Sequence, residues 1–229
     1  KPAFPVNLSM NEIAAHYTPS HDDKILAHGL LKVDLGVHID GWVADTSFSV
    51  DLEDSNENER LIKAAEKAKD KAIETIKNDV KNVNPSKIGS IISNVIEDEG
   101  FTPIVNLSGH SINQYELHGG ITIPNIGNVK SQPFLSGSYA IEPFATSGSG
   151  RVYEGKSSGI YFLLNNKNVR SQTAREILKF IEEEYSSLPF CSRWIVKKHG
   201  TKALFALKQL EENGNLHNFP QLVEASKEK

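Results

Sequence analysis

The chain has 229 residues, which suits one large domain or a domain that carries an insertion. Its net charge of -4 and isoelectric point of about 6.1 disfavour a general nucleic-acid binder. Cys191 is the single cysteine, so no internal disulfide can form, and a reducing, cytoplasmic setting is the simplest fit. No apolar run approaches the roughly 20 residues that span a bilayer, so we expect no membrane partner.

The first predicted elements form a β-hairpin. Residues 30–38 are apolar and β-branched, and Asp40-Gly41 after them is a strong hairpin-turn signal. Residues 42–50 alternate as the second strand. Apolar residues at helical spacing then predict a helix over 56–77, and a second helix begins near Pro85 and ends at Gly100.

Shorter strands are predicted around 103–105, 137–145 and 159–164, and the character of the chain changes near Asn165. Residues 171–185 and 201–212 read as amphipathic helices on either side of a compact aromatic stretch. This helical block looks inserted into a mixed α/β domain. Strands and helices do not alternate regularly and no glycine-rich phosphate loop precedes a helix, which argues against a doubly wound nucleotide-binding fold.

Asp34 and Asp45 are the most informative pair of residues. With the hairpin centred on Asp40-Gly41, Gly36 faces Asp45, and Asp34 is diagonal to Asp45 on the same face of the sheet. Two unpaired carboxylates there would repel each other, and a bound divalent cation would remove that cost. Gly36 has no side chain and leaves room beside Asp45.

The alternative is that both aspartates are solvated on an exposed sheet face, which is the commoner situation for acids in a hairpin. The neighbouring residues weaken this alternative, because the two strands are largely apolar, as buried strands are. Val37, Trp42 and Phe48 are among these apolar residues. Buried acids need partners.

Other candidate residues follow further along the chain. His110 and His118 lie near glycines, Glu142 is a single acid in a predicted apolar strand, and His16 is a weak candidate on its own. Two aspartates, one glutamate and at least one histidine form an oxygen-rich set that suits Mn, Fe or Co better than a thiolate zinc site. Carboxylates able to bridge suggest a dinuclear hydrolase, and reasoning from the residues alone stops there.

Several motifs, in one order, resemble the methionine aminopeptidases. The motifs are Ala3-Phe4-Pro5 with Ala14-Ala15-His16-Tyr17-Thr18-Pro19, and Val33-Asp34-Leu35-Gly36-Val37-His38-Ile39-Asp40-Gly41 leading to Ala44-Asp45. Asn106-Leu107-Ser108-Gly109-His110-Ser111-Ile112, with Tyr115 and His118, is similar to the type 2 form. Ala140-Ile141-Glu142-Pro143-Phe144-Ala145 resembles its archaeal branch, and the helical block resembles the type 2 insertion.

The resemblance implies an α+β, pita-bread fold with a helical, winged-helix-like insertion. It divides the chain into a catalytic core at 1–164, the insertion at 165–219 and a return segment at 220–229. The implied partner is the N-terminal methionine of nascent polypeptides, followed by a small second residue, with the ribosome as a further candidate partner. A monomer without a specific nucleic-acid ligand is expected.

The resemblance also implies a role for each matching residue. Two divalent ions (Co, Mn, Fe or Zn) would be held by Asp34, Asp45, His110 and Glu142. His16 and His118 would contact the substrate. The methionine pocket would be lined by Phe4, Leu117, Ile160 and Phe219.

The chain departs from the family pattern in two places. The family has a fifth ligand, a glutamate expected a few residues past Lys229, and Glu224 and Glu228 have the wrong surroundings to replace it. The family also has one or more helices before the segment that matches Lys1. We therefore expect weak metal binding at the second site and little or no turnover by this chain alone.

Two other functions compete with this interpretation. One is a proline-specific (Xaa-Pro) peptidase of the same fold. The insertion and the residue pattern at 106–118 argue against this function. The other is a non-catalytic relative that binds ribosomes or RNA, which typically loses the metal ligands. The basic run 197–202 in the insertion reads as a solvated turn rather than a nucleic-acid site.

Overall fold

The computed structural model describes residues 1–53, 57–79 and 82–229. Its strands are β1 (Asn7–Met10), β2 (Ile13–Ala15), β3 (Leu30–Ile39), β4 (Trp42–Asp51), β5 (Thr102–Pro103), β6 (Ser108–Ile112), β7 (Thr122–Pro124), β8 (Ser138–Ala140), β9 (Ala145–Thr146), β10 (Val152–Leu163), β11 (Phe190–Cys191) and β12 (Leu216–Glu224). Its helices are α1 (Glu59–Asn78), α2 (Pro85–Asp98), α3 (Gln172–Tyr185), α4 (Ser192–His199) and α5 (Ala203–Glu212). Among the described helices, none combines the length and apolar character that crossing a membrane requires.

The predicted hairpin is confirmed, including its register. Strands β3 and β4 pair antiparallel, with Gly36 opposite Asp45 and Asp34 opposite Ser47. Asp40 and Gly41 have φ values of 50° and 83°, as a two-residue turn of the mirror-image type requires. The turn therefore fixes which residues share the face that carries both aspartates.

Two sheets are built around the strands β3 and β10. One has the order β1-β3-β4, and the other has the order β11-β10-β12-β2. Asn7 in β1 pairs with Asp34 in β3, and Leu222 in β12 pairs with Ala15 in β2. A third sheet, β7-β6-β8, carries the segment that begins at Ser108. Mixed strands and helices agree with the α+β prediction.

Helices α1 and α2 pack against each other through a face of small residues. Ala64, Ala68 and Ala72 of α1 are fully buried, which lets the isoleucines of α2 approach closely. Asn84 caps α2 by accepting a hydrogen bond from the backbone N–H of Lys87 at 2.8 Å. The predicted start of the first helix at residue 56 lies outside the described residues.

The inserted block has its own apolar cluster, formed by buried residues of α3, α4 and α5 with Phe190 and Tyr161. The prediction identified α3 and α5 but not α4 or β11, because the aromatic stretch at 188–194 has no helical period of its own. β12 runs without interruption from Leu216 to Glu224, across the predicted boundary after residue 219. The division of the chain into three segments stays a prediction.

The hairpin is not buried on both faces, contrary to the expectation from its apolar residues. Val37, Trp42 and Phe48 are 54%, 60% and 52% exposed. Side chains alternate along a strand, so these residues all project from the face opposite the aspartates. Asp34 and Asp45 are half-buried on the inner face.

Candidate metal centre

A cavity of about 370 Å³ lies between the β1-β3-β4 sheet, the β6 and β8 strands and the β12 strand. Every residue that the sequence analysis assigned to a site lines this cavity. These residues are Phe4, His16, Asp34, Asp45, His110, Leu117, His118, Glu142, Ile160 and Phe219. Segments that are far apart in the sequence thus contribute to one cavity.

The two aspartates come from the inner face of the hairpin. Gly36, opposite Asp45, is in contact with the ring of Phe4: a Cβ atom on Gly36 would lie 2.2 Å from Phe4 Cε1. The space that we expected beside Asp45 is therefore occupied by this ring. Phe4 is 5% exposed and forms an apolar wall beside the carboxylates.

His110 and Glu142 meet because two backbones approach closely. His110 in β6 pairs with Ala140 in β8, and a Cβ atom on Gly109 would lie 2.3 Å from the carbonyl oxygen of Ala140. β8 ends at Ala140, so Glu142 lies in the irregular segment before β9 and not inside a strand, as the sequence suggested. Because Glu142 lies outside the β6–β8 ladder, its side chain can turn towards His110.

The polar side chains converge at short distances. His110 Nε2 lies 3.1 Å from Glu142 Oε1 and 3.9 Å from Asp45 Oδ2. Asp45, His110 and Glu142 each offer one ligand atom, and these atoms lie within 4.8 Å of one another. One nitrogen and two carboxylate oxygens at this spacing form a donor set that fits a divalent transition metal.

The electrostatics of the cavity favour a bound cation. Burial, together with the nearby charges of Asp45 and Glu142, raises the pKa of Asp34 to about 8. Burial and the charge of Glu142 raise the pKa of Asp45 to about 6. Burial acts to lower the pKa of His110, but the hydrogen bond and charge of Glu142 raise it above its ordinary value. Divalent cations would relieve the repulsion that raises the pKa of both aspartates.

His16 lies immediately after β2 with a φ of 65°, a conformation that non-glycine residues rarely adopt. Its Nδ1 lies 3.0 Å from the carbonyl oxygen of Pro220. A carbonyl oxygen only accepts, so Nδ1 carries a proton. Burial lowers the pKa of His16, so the ring is neutral near pH 7 and its Nε2 is free to accept a hydrogen bond.

His118 faces the open cavity beside the metal-ligand candidates. Its ring centroid lies 4.5 Å from that of His110, in an edge-to-face arrangement. Desolvation in the cavity, with His110 and His16 nearby, lowers the pKa of His118 to about 4. At neutral pH His118 is an uncharged imidazole that can donate or accept a hydrogen bond.

Phe219 connects the two histidines with the apolar side of the cavity. It pairs with Ile160 across the β10–β12 ladder. Its ring lies 5.3 Å from His16 and 6.4 Å from His118. Ile160, Phe219 and Leu117 therefore form an apolar surface next to the polar cluster.

Asn7 and Pro189 are among the lining residues that were not assigned to the site from the sequence. Asn7 is 5% exposed and donates from Nδ2 to Asp34 Oδ2 at 3.4 Å and to Pro5 O at 3.2 Å. The alternation of residues 6–10 would have indicated strand β1, but not its pairing with β3. Pro189, from the aromatic stretch of the insertion, also lines the cavity, and no local pattern indicated this.

Glu224 does not line the cavity, in agreement with its exclusion as a ligand. Its carboxylate accepts hydrogen bonds from the Ser149 hydroxyl at 2.7 Å and the Ser226 hydroxyl at 2.6 Å. Both carboxylate oxygens are thus engaged at a separate place in the fold.

Comparisons with known proteins agree with this geometry. Residues 1–175 match metallopeptidase family M24. Methionine aminopeptidase of Pyrococcus horikoshii is 44% identical over 98% of this chain and 76% of its own length. The enzyme of the same name from Methanocaldococcus jannaschii is 42% identical over 98% of this chain and 75% of its own.

Solved structures show the same architecture. A thermophilic Arx1 superposes with a TM-score of 0.80 over 99% of this chain and 70% of its own, at 17% identity, which shows the fold alone. Methionine aminopeptidase from Rickettsia prowazekii has a TM-score of 0.55 and 26% identity over 66% of this chain and 60% of its own. The pita-bread prediction is confirmed, and the chain belongs to metallopeptidase family M24, among the type 2 methionine aminopeptidases.

Proposed function

We propose that this chain removes the N-terminal methionine of nascent polypeptides with the help of two divalent metal ions. The observation that carries the proposal is the convergence of Asp45, His110 and Glu142, with ligand atoms within 4.8 Å of one another, beside an apolar pocket. Asp34 lies on the same sheet face as Asp45, two residue pairs away along the ladder. Membership of a metallopeptidase family supports the assignment.

The residues present divide naturally between two ions. Asp45, His110 and Glu142 would hold one ion, and Asp34 with Asp45 would hold the other. This set, with more oxygen than nitrogen and no thiolate, suits Mn, Fe or Co and also admits Zn. Bound divalent ions supply Lewis-acid activation of water and of the substrate carbonyl.

The two histidines would act on the substrate itself. Neutral His16 donates from Nδ1 to Pro220 O and leaves Nε2 as an acceptor, which suits an N–H group of the substrate's first residues. His118 is uncharged at neutral pH and faces the cavity, so it can donate to the oxyanion that develops on the carbonyl. Both imidazole rings would thus be uncharged, and each would carry its single proton on one ring nitrogen.

The apolar side of the cavity fits the methionine side chain. Phe4, Leu117, Ile160 and Phe219 would surround an unbranched thioether, which adapts well to aromatic surfaces. Crowding by His16 and His118 beside the polar cluster would favour a small second residue. A branched or charged first side chain would meet apolar walls without a partner.

The test is peptide hydrolysis by the Mn²⁺-loaded protein. Because the second ion has only Asp34 and the shared Asp45 among the described residues, we expect hydrolysis to be slow and to need saturating Mn²⁺. Methionine should be released from Met-Ala-Ser, with no detectable cleavage of an Ala-Pro peptide. Asp45→Asn should reduce hydrolysis to background, because Asp45 serves both proposed ions. Preferential cleavage of the Ala-Pro peptide would replace the proposal with the Xaa-Pro peptidase alternative.

The proposal includes a cytoplasmic site of action and the ribosome as a partner, because nascent chains emerge there. Lys197, Lys198 and Lys202 are exposed on the insertion. The sequence pattern of this run favoured a solvated turn, so a contact of these lysines with ribosomal RNA phosphates would be electrostatic and not specific for RNA sequence. If the protein co-sediments with ribosomes and this binding is lost when the three lysines are replaced by glutamate, the ribosome is supported as a partner. If the variant still co-sediments, these lysines do not form the ribosome-binding surface.

A further inference from the structure

One segment of the insertion contacts the core around the cavity at several separate points. We define it as the brace: residues 184–193, which comprise the end of α3, the connection to β11, β11 itself and the start of α4. The brace contributes Pro189 to the cavity lining. The metal-ligand candidates lie on other segments, so any effect of the brace on the site must pass through the residues that it touches.

The first contact fixes the loop that carries His118. The Ser187 hydroxyl donates to the carbonyl oxygen of Tyr115 at 2.5 Å. Tyr115 has a φ of 58°, and its backbone N–H donates to Gly41 O at 2.9 Å, at the tip of the β3–β4 hairpin. Gln114 Nε2 adds a bond to Asp40 O at 2.7 Å. The loop before His118 is therefore held between the hairpin and the insertion.

The second contact fixes the segment that follows His16. The Arg193 guanidinium donates to the carbonyl oxygen of Pro19 and to Thr18 Oγ1. Thr18 is 6% exposed, and its hydroxyl donates to Val6 O at 2.9 Å. His16 has a positive φ, and a strained residue keeps such a conformation only where its surroundings determine it strongly.

We propose that the brace is a positioning element of the active site, in which Ser187 orients His118 and Arg193 orients His16. The inference rests on the proposed function, since it assumes that these two histidines act on the substrate. Neither Ser187 nor Arg193 touches a metal-ligand candidate. Loss of either contact should therefore lower turnover while metal binding stays intact, and this separates a positioning role from a general loss of structure.

The experiment uses the whole chain loaded with Mn²⁺ and two truncating variants, Ser187→Ala and Arg193→Met. Misplacement of a group by about 1 Å can cost on the order of a hundredfold in rate, so we expect kcat on Met-Ala-Ser to fall about tenfold to a hundredfold. KM and the calorimetric Kd for Mn²⁺ should change by less than about threefold. Ser187→Thr and Arg193→Lys keep a donor at each position and should recover most of the turnover.

A matched control variant comes from the same insertion. Arg175 also donates to backbone carbonyls, those of Val169 and Arg170, but these contacts lie within the insertion and away from the cavity. Arg175→Met should leave kcat at the wild-type value. Equal losses of kcat in Arg175→Met and Arg193→Met would overturn the proposal, because they would indicate a general effect of destabilising the insertion.

Amide hydrogen exchange provides a readout that is independent of activity. Ser187→Ala should accelerate exchange at residues 113–119, and Arg193→Met should accelerate exchange at 16–19, each about tenfold, with Arg175→Met affecting neither segment. Unchanged exchange rates in both variants would overturn the proposal that the brace positions these segments. Failure of the wild-type protein to cleave Met-Ala-Ser would instead remove the proposed function, and the exchange data would still decide whether the brace fixes these segments.

Discussion

Gly109 lies directly against the carbonyl oxygen of Ala140, and this contact lets His110 come within 3.1 Å of Glu142. We predict that Gly109→Ala forces strands β6 and β8 apart, since the new Cβ would lie 2.3 Å from a backbone atom that cannot rotate away. Overpacking of this kind costs about 1–3 kcal/mol of unfolding free energy. Thermal unfolding and a calorimetric Mn²⁺ titration should show lower stability and weaker binding.

Gly137→Ala is the matched control for this prediction. A Cβ atom at Gly137 meets nothing within 4 Å, and the residue lies before β8 rather than at the site. Its stability and Mn²⁺ affinity should equal those of the wild type. If Gly109→Ala behaved like Gly137→Ala, the close approach of the two strands would not be what sets the distance between His110 and Glu142.

The two proposed ions should differ in affinity. Among the residues that the structure describes, one ion has three ligand side chains and the other has only Asp34 and the shared Asp45. We predict a tight and a weak phase in a calorimetric Mn²⁺ titration. Asp34→Asn should remove the weak phase alone, whereas Asp45→Asn should weaken both. Two phases of equal affinity would contradict this division.

The buried charge of Asp34 should make the metal-free protein less stable as the pH rises. The pKa of Asp34 is about 8 in the folded chain, against an ordinary value of 3.8, so the folded state binds the proton more tightly. Stability from this group is therefore lost as the pH rises through that interval. Asp34→Asn keeps the shape without the charge, and its advantage over the wild type should grow by about 3 kcal/mol between pH 6 and pH 9.

Urea unfolding in EDTA at several pH values measures this difference. A constant difference between the two proteins would show that Asp34 is already ionised at pH 6. Saturating Mn²⁺ should reverse the result at pH 8, because the bound ions stabilise the folded wild type and bind the variant less well.

The catalytic face of the fold was predictable because local signals determine it. The Asp40-Gly41 turn fixed the register of the hairpin, and the register placed Asp34 and Asp45 on one face. Glu142 was singled out as an acid in an apolar segment and His110 as a histidine near glycines, and the family resemblance implied that both are ligands. Their contact, however, depends on the β6–β8 pairing, which no local pattern indicates.

Other features depend on tertiary contacts that sequence patterns do not report. Phe4 fills the space beside Gly36, which appeared open when only the hairpin was considered. The exposed outer face with Trp42 and Phe48 was predicted to be buried, since apolar composition does not show whether another layer covers a sheet. Helix α4 was missed because it is only eight residues long and its residues pack into an aromatic cluster.

Glu224 should stabilise the fold without contributing to catalysis. Although burial acts to raise its pKa, hydrogen bonds from the hydroxyls and amides of Ser226 and Ser149 lower it to about 2. Its stabilising effect should be complete above its ordinary pKa of 4.5 and should disappear as the pH falls towards 2. We predict that Glu224→Gln costs about 2 kcal/mol of unfolding free energy at pH 7.

Glu228→Gln is the control, since Glu228 is exposed. Chemical unfolding at pH 7 should leave that variant unchanged. The cost of Glu224→Gln should shrink when the measurement is repeated at pH 3. Loss of Mn²⁺ binding in Glu224→Gln, with little loss of stability, would instead make Glu224 a ligand.

The tautomer of His16 is the last feature that can be tested directly. Because Pro220 O can only accept, the ring should carry its proton on Nδ1, the less common arrangement for a neutral imidazole in water, and should stay neutral at pH 7. ¹⁵N spectra of the imidazole should show this form in the metal-free protein. A proton on Nε2 would leave Nδ1 facing a carbonyl oxygen without a donor, and His16 could then not act as an acceptor towards the substrate.

The contribution of His16 and His118 to turnover can be measured by removing each imidazole ring. His16→Ala and His118→Ala should each lower kcat about a hundredfold, the usual scale for a positioned proton-transfer or hydrogen-bonding group, with unchanged Mn²⁺ affinity. His28→Ala, at an exposed position on the loop after β2, should leave kcat unchanged. Because both active-site rings are neutral at pH 7, turnover should fall as the pH drops and the rings gain protons. His16 would then lose its acceptor Nε2, and a protonated His118 would repel the bound cations.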